Sequence, residues 1–225
     1  QLAGNGKALI SDDTQMTLFT AAGILLGMTR GHMRGIMGRI DTYCHWTYLD
    51  WLHTQEWDLR KPKERSDSWL MDVPELYAHR APGNTCLSAL KSLENNKEPQ
   101  NNSCGCGGVM RTAPLAILDY LHGYADAEYE YCDMVAAEAA RVTHKHPLGF
   151  LPSAVLNDIL MQIFDGETDR GTSLSDVVHN AIKRLPSIKS EADKDRTYGE
   201  LWPDEVATLR RLLKYAMELT VRDIP

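Results

Sequence analysis

A hydroxyl and two adjacent carboxylates stand at the start of an expected helix, in the segment ISDDTQMTLF at residues 10–19. Ser11, Asp12 and Asp13 offer hard oxygen ligands of the kind that Mg²⁺ or Ca²⁺ prefers. The same residue types also make an ordinary helix start, because Ser and Asp cap helices and acidic side chains suit the positive end of the helix dipole. Asp12 and Gln15 also have the spacing of a capping box. From the residues alone, a metal site and a helix cap both remain open.

A second segment, NNSCGCGGVMR at residues 101–111, is rich in glycine and precedes an expected helix. Glycine allows backbone N–H groups to turn toward one point and form a nest for an anion such as a diphosphate. A simple turn between helices is the alternative, because glycine permits tight turns at no steric cost. Cys104 and Cys106 indicate zinc only weakly, since no second Cys or His pair follows at ligand spacing.

Two shorter segments, RAPGNT at residues 80–85 and THKHP at residues 143–147, also carry polar groups. Pro-Gly is typical of a turn, and Asn84 or Thr85 would cap the next helix. His144 and His146 stand two positions apart, so they point in different directions and do not form a joint metal site. One of them could donate to a phosphate or a ribose hydroxyl. Alternatively, both meet the negative end of the preceding helix, and Pro147 stops that helix.

The elements that must position these segments are predicted to be helices. Apolar residues recur at helical spacing over residues 14–29, 36–53, 85–93, 114–122, 127–142, 148–164, 174–185 and 203–221. In the first helix, Met16, Phe19, Ile24 and Leu25 are expected in the core, and Gly23 is expected on the core side. Residues 56–72 and 186–199 are typical of polar loops. No alternating pattern predicts a strand, so the expected fold is all-α, a compact orthogonal multi-helix bundle in one domain at 1–225.

The overall composition excludes several classes of partner. The 225 residues carry a net charge of -7, and the pI of about 5.6 argues against binding to nucleic acid or an anionic membrane. No apolar run is expected to reach membrane-spanning length. The five cysteines are odd in number and irregular in spacing, which favours a reducing cytoplasm over a disulfide framework.

The order of the four polar segments resembles the ADP-ribosylglycohydrolase family, whose bacterial members include the enzyme that removes ADP-ribose from an arginine of dinitrogenase reductase. The resemblance extends from about Ile10 to Leu160. It implies an all-α fold with two Mg²⁺ ions at the base of an ADP-ribose cleft, with Mn²⁺ as a substitute.

The resemblance also implies roles for individual residues. Ser11, Asp12 and Asp13 would be metal ligands, and Asp12 or Asp13 would serve as the catalytic base. Arg111 is expected to brace the glycine-rich loop rather than touch substrate. The implied substrate-binding residues are Cys104, Gly105, Cys106, Gly107, Gly108, Val109, His144, Gly83 and Asn84.

The implied activity is Mg²⁺-dependent hydrolysis of the N-glycosidic bond at the distal ribose, with an ADP-ribosyl-arginine protein as the substrate. The chain departs from the family pattern in two places. The family's G-D-A-hydrophobic-G segment has no counterpart, and the late D-[S/T]-D-T cluster is represented only by DKDRT at residues 193–197, whose spacing is wrong. The domain is therefore expected to lack its N-terminal helix and its C-terminal metal-binding segment. The alternative hypothesis is a non-catalytic protein that binds ADP-ribose or neutralises an ADP-ribosylating toxin, as an immunity protein would.

Overall fold

The computed structural model describes residues 6, 8–36, 38–55, 66–121, 129–166, 170–190, 193 and 195–219. In the helix that begins at Tyr129, it describes the side chains from residue 133 onward. The described residues form these helices: α1 Asp12–Arg34, α2 Ile40–Gln55, α3 Asn84–Glu94, α4 Ala113–Leu121, α5 Tyr129–Arg141, α6 Pro147–Phe164, α7 Leu174–Arg184, α8 Tyr198–Leu201 and α9 Pro203–Glu218. Short 3-10 turns occur at Trp69–Asp72, Pro74–Leu76, Cys106–Arg111 and Leu185–Ser187. The prediction of an all-α fold is confirmed. The remaining parts of the predicted elements, at 56–65, 122–128 and 220–221, lie outside the described residues.

α1 runs five residues beyond its predicted end. Gly35 ends the helix in a left-handed conformation with φ of 71°, and its N–H bonds to the Gly31 carbonyl. Glycine adopts this conformation without the steric cost that a Cβ would add. The expectation that Leu25 is buried was wrong, because this side chain is 55% exposed, whereas Met16, Phe19 and Ile24 are buried.

The close crossing of α1 and α2 depends on two glycines spaced one turn apart. A Cβ on Gly23 would lie 2.9 Å from the Cα of Cys44 and 2.9 Å from Oγ1 of Thr47. A Cβ on Gly27 would lie 2.5 Å from the ring of Tyr43. These close approaches to α2 confirm that Gly23 faces the core.

The alanine-rich helix α5 lies between two apolar clusters. Val135, Ala136 and Ala139 belong to the cluster that also contains residues of α1 and α2. Ala137 and Ala140 belong to the cluster formed with residues of α6, α7 and α9. A helix that is buried on more than one side needs small side chains for its neighbours to approach closely.

Within the described residues, α6 is the one helix whose length and composition would allow it to cross a membrane. With 18 residues and a mean hydropathy of 1.3, α6 differs from the expectation that no apolar run reaches membrane-spanning length. However, 56% of this helix is buried inside the protein. A buried core helix passes the same test. The second predicted loop, at 186–199, also differs from expectation: Lys189 pairs with Thr197 in an isolated antiparallel bridge, and α8 begins at Tyr198.

Candidate functional site

The first turn of α1 places Asp12 against the turn at residues 80–83. The backbone N–H of Asp12 donates to the Arg80 carbonyl at 2.9 Å. In return, the N–H of Gly83 donates to Oδ2 of Asp12 at 3.3 Å. Ala81 takes a left-handed conformation with φ of 62°, which a non-glycine residue adopts at an energetic cost. The turn therefore folds around Asp12, and the segments at residues 10–19 and 80–85 meet.

The side-chain cap and the capping box expected at the start of α1 do not form, although Asp12 and Asp13 do lie in its first turn. Ser11 occupies the N-cap position, but its side chain makes no capping hydrogen bond and donates instead to Oδ2 of Asp13 at 2.9 Å. The expected capping box does not form, because Gln15 turns inward. Its Nε2 donates to the carbonyls of Leu76 and Ala78, each at 3.1 Å. The oxygens of Ser11 and Asp13 are therefore not used to cap the helix.

Asp12 and Asp13 differ in their surroundings, since Asp12 is buried and Asp13 is exposed. Burial raises the pKa of Asp12 above its ordinary value, and the negative charge of Asp13 raises it further. The hydrogen bond from the Gly83 N–H acts in the opposite direction, because it favours the ionised carboxylate. A cation bound beside both carboxylates would relieve their repulsion.

The glycine-rich segment forms the 3-10 turn Cys106–Arg111, with Gly105 at its N-cap. None of its glycines is among those with positive φ in the described chain. Gly108 is needed for close packing instead, because a Cβ there would lie 2.6 Å from the carbonyl oxygen of Gly149. Thr17 joins this turn to α1 by donating to the Met110 carbonyl at 2.8 Å. The second polar segment therefore sits directly against the helix that carries the carboxylates.

His144 lies behind the glycine-rich turn. A Cβ on Gly107 would approach its Cε1 to 3.1 Å and its Nε2 to 3.3 Å. Its Nδ1 is 2.9 Å from the Thr143 hydroxyl. Burial, together with the positive charge of Arg111, lowers the pKa of His144 to about 4. The imidazole is therefore neutral at pH 7, and its Nε2 edge faces the turn.

The second histidine of this segment has a structural role. Nδ1 of His146 accepts the N–H of Leu148 at 3.1 Å and caps α6. The two histidines point in different directions, as predicted. Pro147 does not stop the preceding helix, which ends at Arg141, but opens α6. Proline suits this position because its fixed φ is helical and its missing N–H is not required there.

Arg111 braces the glycine-rich turn from inside, as expected. Its side chain is fully buried, and one terminal nitrogen donates to the Gly107 carbonyl at 2.9 Å and to Sγ of Cys86 at 3.3 Å. The guanidinium lies over the ring of Tyr48, 4.7 Å from its centroid. The turn is thereby tied to both α2 and α3.

Two connecting residues were missed by the sequence analysis. Nδ2 of Asn101 donates to the Thr143 carbonyl at 2.9 Å, and its Oδ1 accepts the N–H of Lys145 at 3.2 Å. Ser103 pairs its hydroxyl with that of Thr85 at 3.1 Å. The only signal in the sequence was the polar run that precedes the glycines.

The predicted rim residues lie next to Asp12, although their local role differs from expectation. Gly83, rather than Asn84 or Thr85, occupies the N-cap of α3, without a side-chain capping bond. Asn84 and Gly83 are both exposed. All four polar segments therefore belong to one hydrogen-bonded and packed arrangement.

Other polar groups lie outside this arrangement. Among the described residues, no group of three His, Cys, Asp or Glu side chains has a geometry that could hold a metal ion. Thr197 is engaged with Glu200 in the capping box of α8. A cavity of about 560 Å³ is lined by a different set of side chains, which includes His45, Glu98, Glu138 and Lys145. The site is therefore defined by hydrogen bonding and not by the size of this cavity.

The fold and the site define an all-α protein in which an acidic helix start, a glycine-rich turn and a neutral histidine are brought together. The chain matches the ADP-ribosylglycohydrolase family over residues 2–223 and belongs to it. No curated protein and no solved structure matches the chain. Membership of this family supports a glycohydrolase role, with ADP-ribosylated substrates or ADP-ribose as the ligand.

Proposed function

We propose that this protein is a Mg²⁺-dependent hydrolase that removes ADP-ribose from arginine residues of modified proteins by cleaving the glycosidic bond at the distal ribose. The observation that carries the proposal is the position of Asp12. Its carboxylate accepts the N–H of Gly83, while the helix that bears it is bonded to the glycine-rich turn through Thr17. One acidic turn thus adjoins both the proposed rim and the proposed diphosphate-binding segment.

Ser11, Asp12 and Asp13 fit the first part of a divalent-cation site. They supply only oxygen donors, which hard cations prefer, and the Ser11 side chain makes no capping hydrogen bond to α1. The raised pKa of Asp12 is caused in part by the charge of Asp13, so a bound cation would favour the ionised form of Asp12. The bound metal would orient the hydroxyls of the distal ribose and polarise the anomeric region. We expect Mn²⁺ to replace Mg²⁺.

The glycine-rich turn is proposed to hold the ADP-ribose diphosphate, and His144, which is 2% exposed, to support this turn from behind. The exposed surface of this segment includes Cys104, Gly105 and Cys106. Val109 and Gly107 are half-buried. Arg111 lies behind the turn and adds positive charge without reaching solvent, which favours an anion on the outer face. A neutral His144 can still donate one hydrogen bond from its ring.

Hydrolysis requires a proton acceptor for the attacking water. Asp12 or Asp13 is proposed to take this proton. Water attacks the anomeric carbon of the distal ribose and gives its proton to the carboxylate. The bond to the guanidine nitrogen breaks, its electron pair stays on that nitrogen, and the departing guanidine takes up a proton. Gly83 and Asn84, at the exposed start of α3, would lie beside the departing arginine.

The test is the release of ADP-ribose from an ADP-ribosyl-arginine protein in Mg²⁺ or in EDTA. The proteins compared are the natural chain, the double variant Asp12→Asn with Asp13→Asn, and Asp204→Asn, which removes an exposed carboxylate from α9. We expect release in Mg²⁺ by the natural chain and by the Asp204 variant only. Removal of catalytic carboxylates typically lowers a rate by at least about 100-fold.

The alternative function is binding of ADP-ribose without turnover, and calorimetry with ADP-ribose distinguishes it from hydrolysis. Binding by the natural chain without any release in Mg²⁺ would overturn the hydrolase proposal. It would instead favour an ADP-ribose-binding or toxin-neutralising protein of the same fold. Neither release nor binding would overturn both.

A further inference from the structure

A tryptophan lies on the surface of the segment that leads to the proposed rim. Trp69 is 64% exposed, whereas the next residue, Leu70, is 4% exposed and belongs to the apolar cluster that contains residues of α1 and α2. A single exposed apolar side chain is common on protein surfaces. Its meaning here depends on how firmly its turn is held and on which groups surround the ring.

The turn that carries Trp69 is fixed by a buried carboxylate. Oδ2 of Asp50, a residue of α2 that is 0% exposed, accepts the N–H of Asp67 at 2.9 Å and the N–H of Ser68 at 2.7 Å. Oγ of Ser68 then accepts the N–H of Leu70 at 3.1 Å. The indole is therefore presented by an ordered backbone, and a ligand would not have to order this turn on binding.

The surroundings of Trp69 are acidic. Residues 66–78 contain Asp67, Asp72 and Glu75 but no Lys, Arg or His. Side chains three positions apart eclipse one another in a 3-10 helix, so Asp72 lies on the same side of its turn as the indole. Asp72 and Glu75 are exposed. Within the described part of the chain, none of these three carboxylates forms a salt bridge.

An exposed indole beside several carboxylates favours a cation as its partner. The face of an indole ring attracts an ammonium or guanidinium group. The carboxylates add a Coulombic attraction that is strongest at low salt. The same carboxylates repel an anion, so the diphosphate of ADP-ribose does not suit this surface. A basic side chain of a protein partner suits it better.

The segment that carries Trp69 is anchored to the same helices as the acidic turn of the proposed active site. In α2, Nε1 of Trp51 donates to Oε1 of Gln15 at 3.2 Å. Gln15 in turn donates to the carbonyls of Leu76 and Ala78. Two residues further on, the same segment accepts the N–H of Asp12. The exposed indole and the proposed catalytic carboxylates are thus held in one frame.

We propose that Trp69, Asp67, Asp72 and Glu75 form a docking surface for a lysine or arginine side chain that flanks the modified arginine in the substrate protein. This inference rests on the proposed removal of ADP-ribose from arginine, and it adds the class of substrate, which is an arginine within a basic segment. The cation stacks on the exposed face of the indole, and the carboxylates balance its charge. The surface acts on the protein part of the substrate and not on ADP-ribose.

The test is calorimetry in EDTA, where the proposed hydrolysis is not expected. Three probes are compared: a peptide with an ADP-ribosyl-arginine between lysines, the same peptide with norleucine in place of each lysine, and ADP-ribose alone. We expect the natural chain to bind the lysine peptide at least about fivefold more tightly than the norleucine peptide at low salt. High salt should reduce this preference because it screens exposed charges.

The variants separate the indole from the carboxylates. Trp69→Ala should reduce the preference to less than about twofold, and Trp69→Phe should keep part of it, because phenylalanine also offers a ring face. The double variant Asp72→Asn with Glu75→Gln should lose the part that depends on salt. As a matched control, Asp204→Asn with Tyr215→Ala removes an exposed carboxylate and an exposed aromatic ring from α9 and should keep the preference.

All of these variants should bind ADP-ribose alone as the natural chain does. Their Tm should also be close to that of the natural chain, because the changed side chains are exposed. If Trp69→Ala weakens binding of ADP-ribose as much as binding of the lysine peptide, the indole contacts the nucleotide and the inference is overturned. It is also overturned if the preference survives both Trp69→Ala and the double variant.

Equal binding of the two peptides by a natural chain that binds ADP-ribose would overturn the docking surface and leave the proposed hydrolase intact. A preference for the lysine peptide without any release of ADP-ribose in Mg²⁺ would support the docking surface and overturn the hydrolase alone. No binding of any probe would overturn both.

Discussion

Replacing Arg111 with methionine should disturb the glycine-rich turn while changing the stability of the protein only slightly. The substitution keeps most of the buried volume but removes a guanidinium that is fully buried. It loses the hydrogen bonds to Gly107 and Cys86 and the contact with the Tyr48 ring. These losses amount to about 3–5 kcal/mol.

The same change also removes buried polar atoms that destabilise the folded protein. Nε and one terminal nitrogen of Arg111 have no hydrogen-bond partner among the described residues, and each such group costs about 1–3 kcal/mol. Losses and relief nearly cancel, so Arg111→Met should change the free energy of unfolding by no more than about 2 kcal/mol. Arg111→Ala should be worse, because truncating a large buried side chain adds a cavity cost of about 2–5 kcal/mol.

The turn should respond more strongly than the fold. Without Arg111, the Gly107 carbonyl loses its donor, and binding of ADP-ribose should weaken at least tenfold in calorimetry. The pKa of His144, followed by NMR, should rise toward its ordinary value, because the charge of Arg111 is the second cause that lowers it after burial. Urea unfolding gives the stability. An unchanged pKa together with equal destabilisation by Met and Ala would refute the reasoning.

Three further predictions concern the fold and its pH dependence. Gly23→Ala should lower the free energy of unfolding by about 1–3 kcal/mol in urea, because its Cβ would lie 2.9 Å from the Cα of Cys44; a change below about 0.5 kcal/mol would contradict the close crossing. Ala81→Gly should raise Tm, since glycine relieves about 0.5–1 kcal/mol of strain at φ of 62°, and a lower Tm would show that the turn is unstrained. For His144, the folded pKa of about 4 lies below the ordinary 6.5. The unfolded chain therefore binds the proton first, and stability should fall by up to about 1.4 kcal/mol per pH unit as pH drops from 6.5 to 4. His144→Asn should lack this slope in thermal unfolding between pH 4 and 7, and an unchanged slope would exclude His144 as its source.

The helices could be predicted because their signals are local. The apolar spacing of α5 and α6 lies within each segment, and the structure places both within a residue or two of expectation. The end of α1 was less predictable, since Gly27, Gly31 and Gly35 could each have ended it, and packing against Tyr43 favours a helix through Gly27. Local glycine content does not reveal which glycine will face a neighbouring helix.

The connections of the site could not be predicted in the same way. Gln15 bonds to carbonyls more than 60 positions later, and Thr17 bonds to a carbonyl 93 positions later. The spacing of Gln15 predicted a capping box instead, because no local pattern encodes such distant partners. The resemblance to the family indicated that the four segments belong to one site, but it gave no contacts between them. The hydrogen bonds of Asp12, Thr17 and Asn101 give the physical reason why these motifs meet.

The position of Gln15 also explains how an acidic helix start can remain available for chemistry. A capping box would have engaged the first turn of α1 with its own backbone. Gln15 instead anchors α1 to the carbonyls of Leu76 and Ala78, and the N–H of Asp12 is bonded to Arg80. The helix start is thus fixed by contacts that spare the oxygens of Ser11 and Asp13. Stability comes from the neighbouring turn, and the donor atoms stay exposed where a cation and a ribose could reach them.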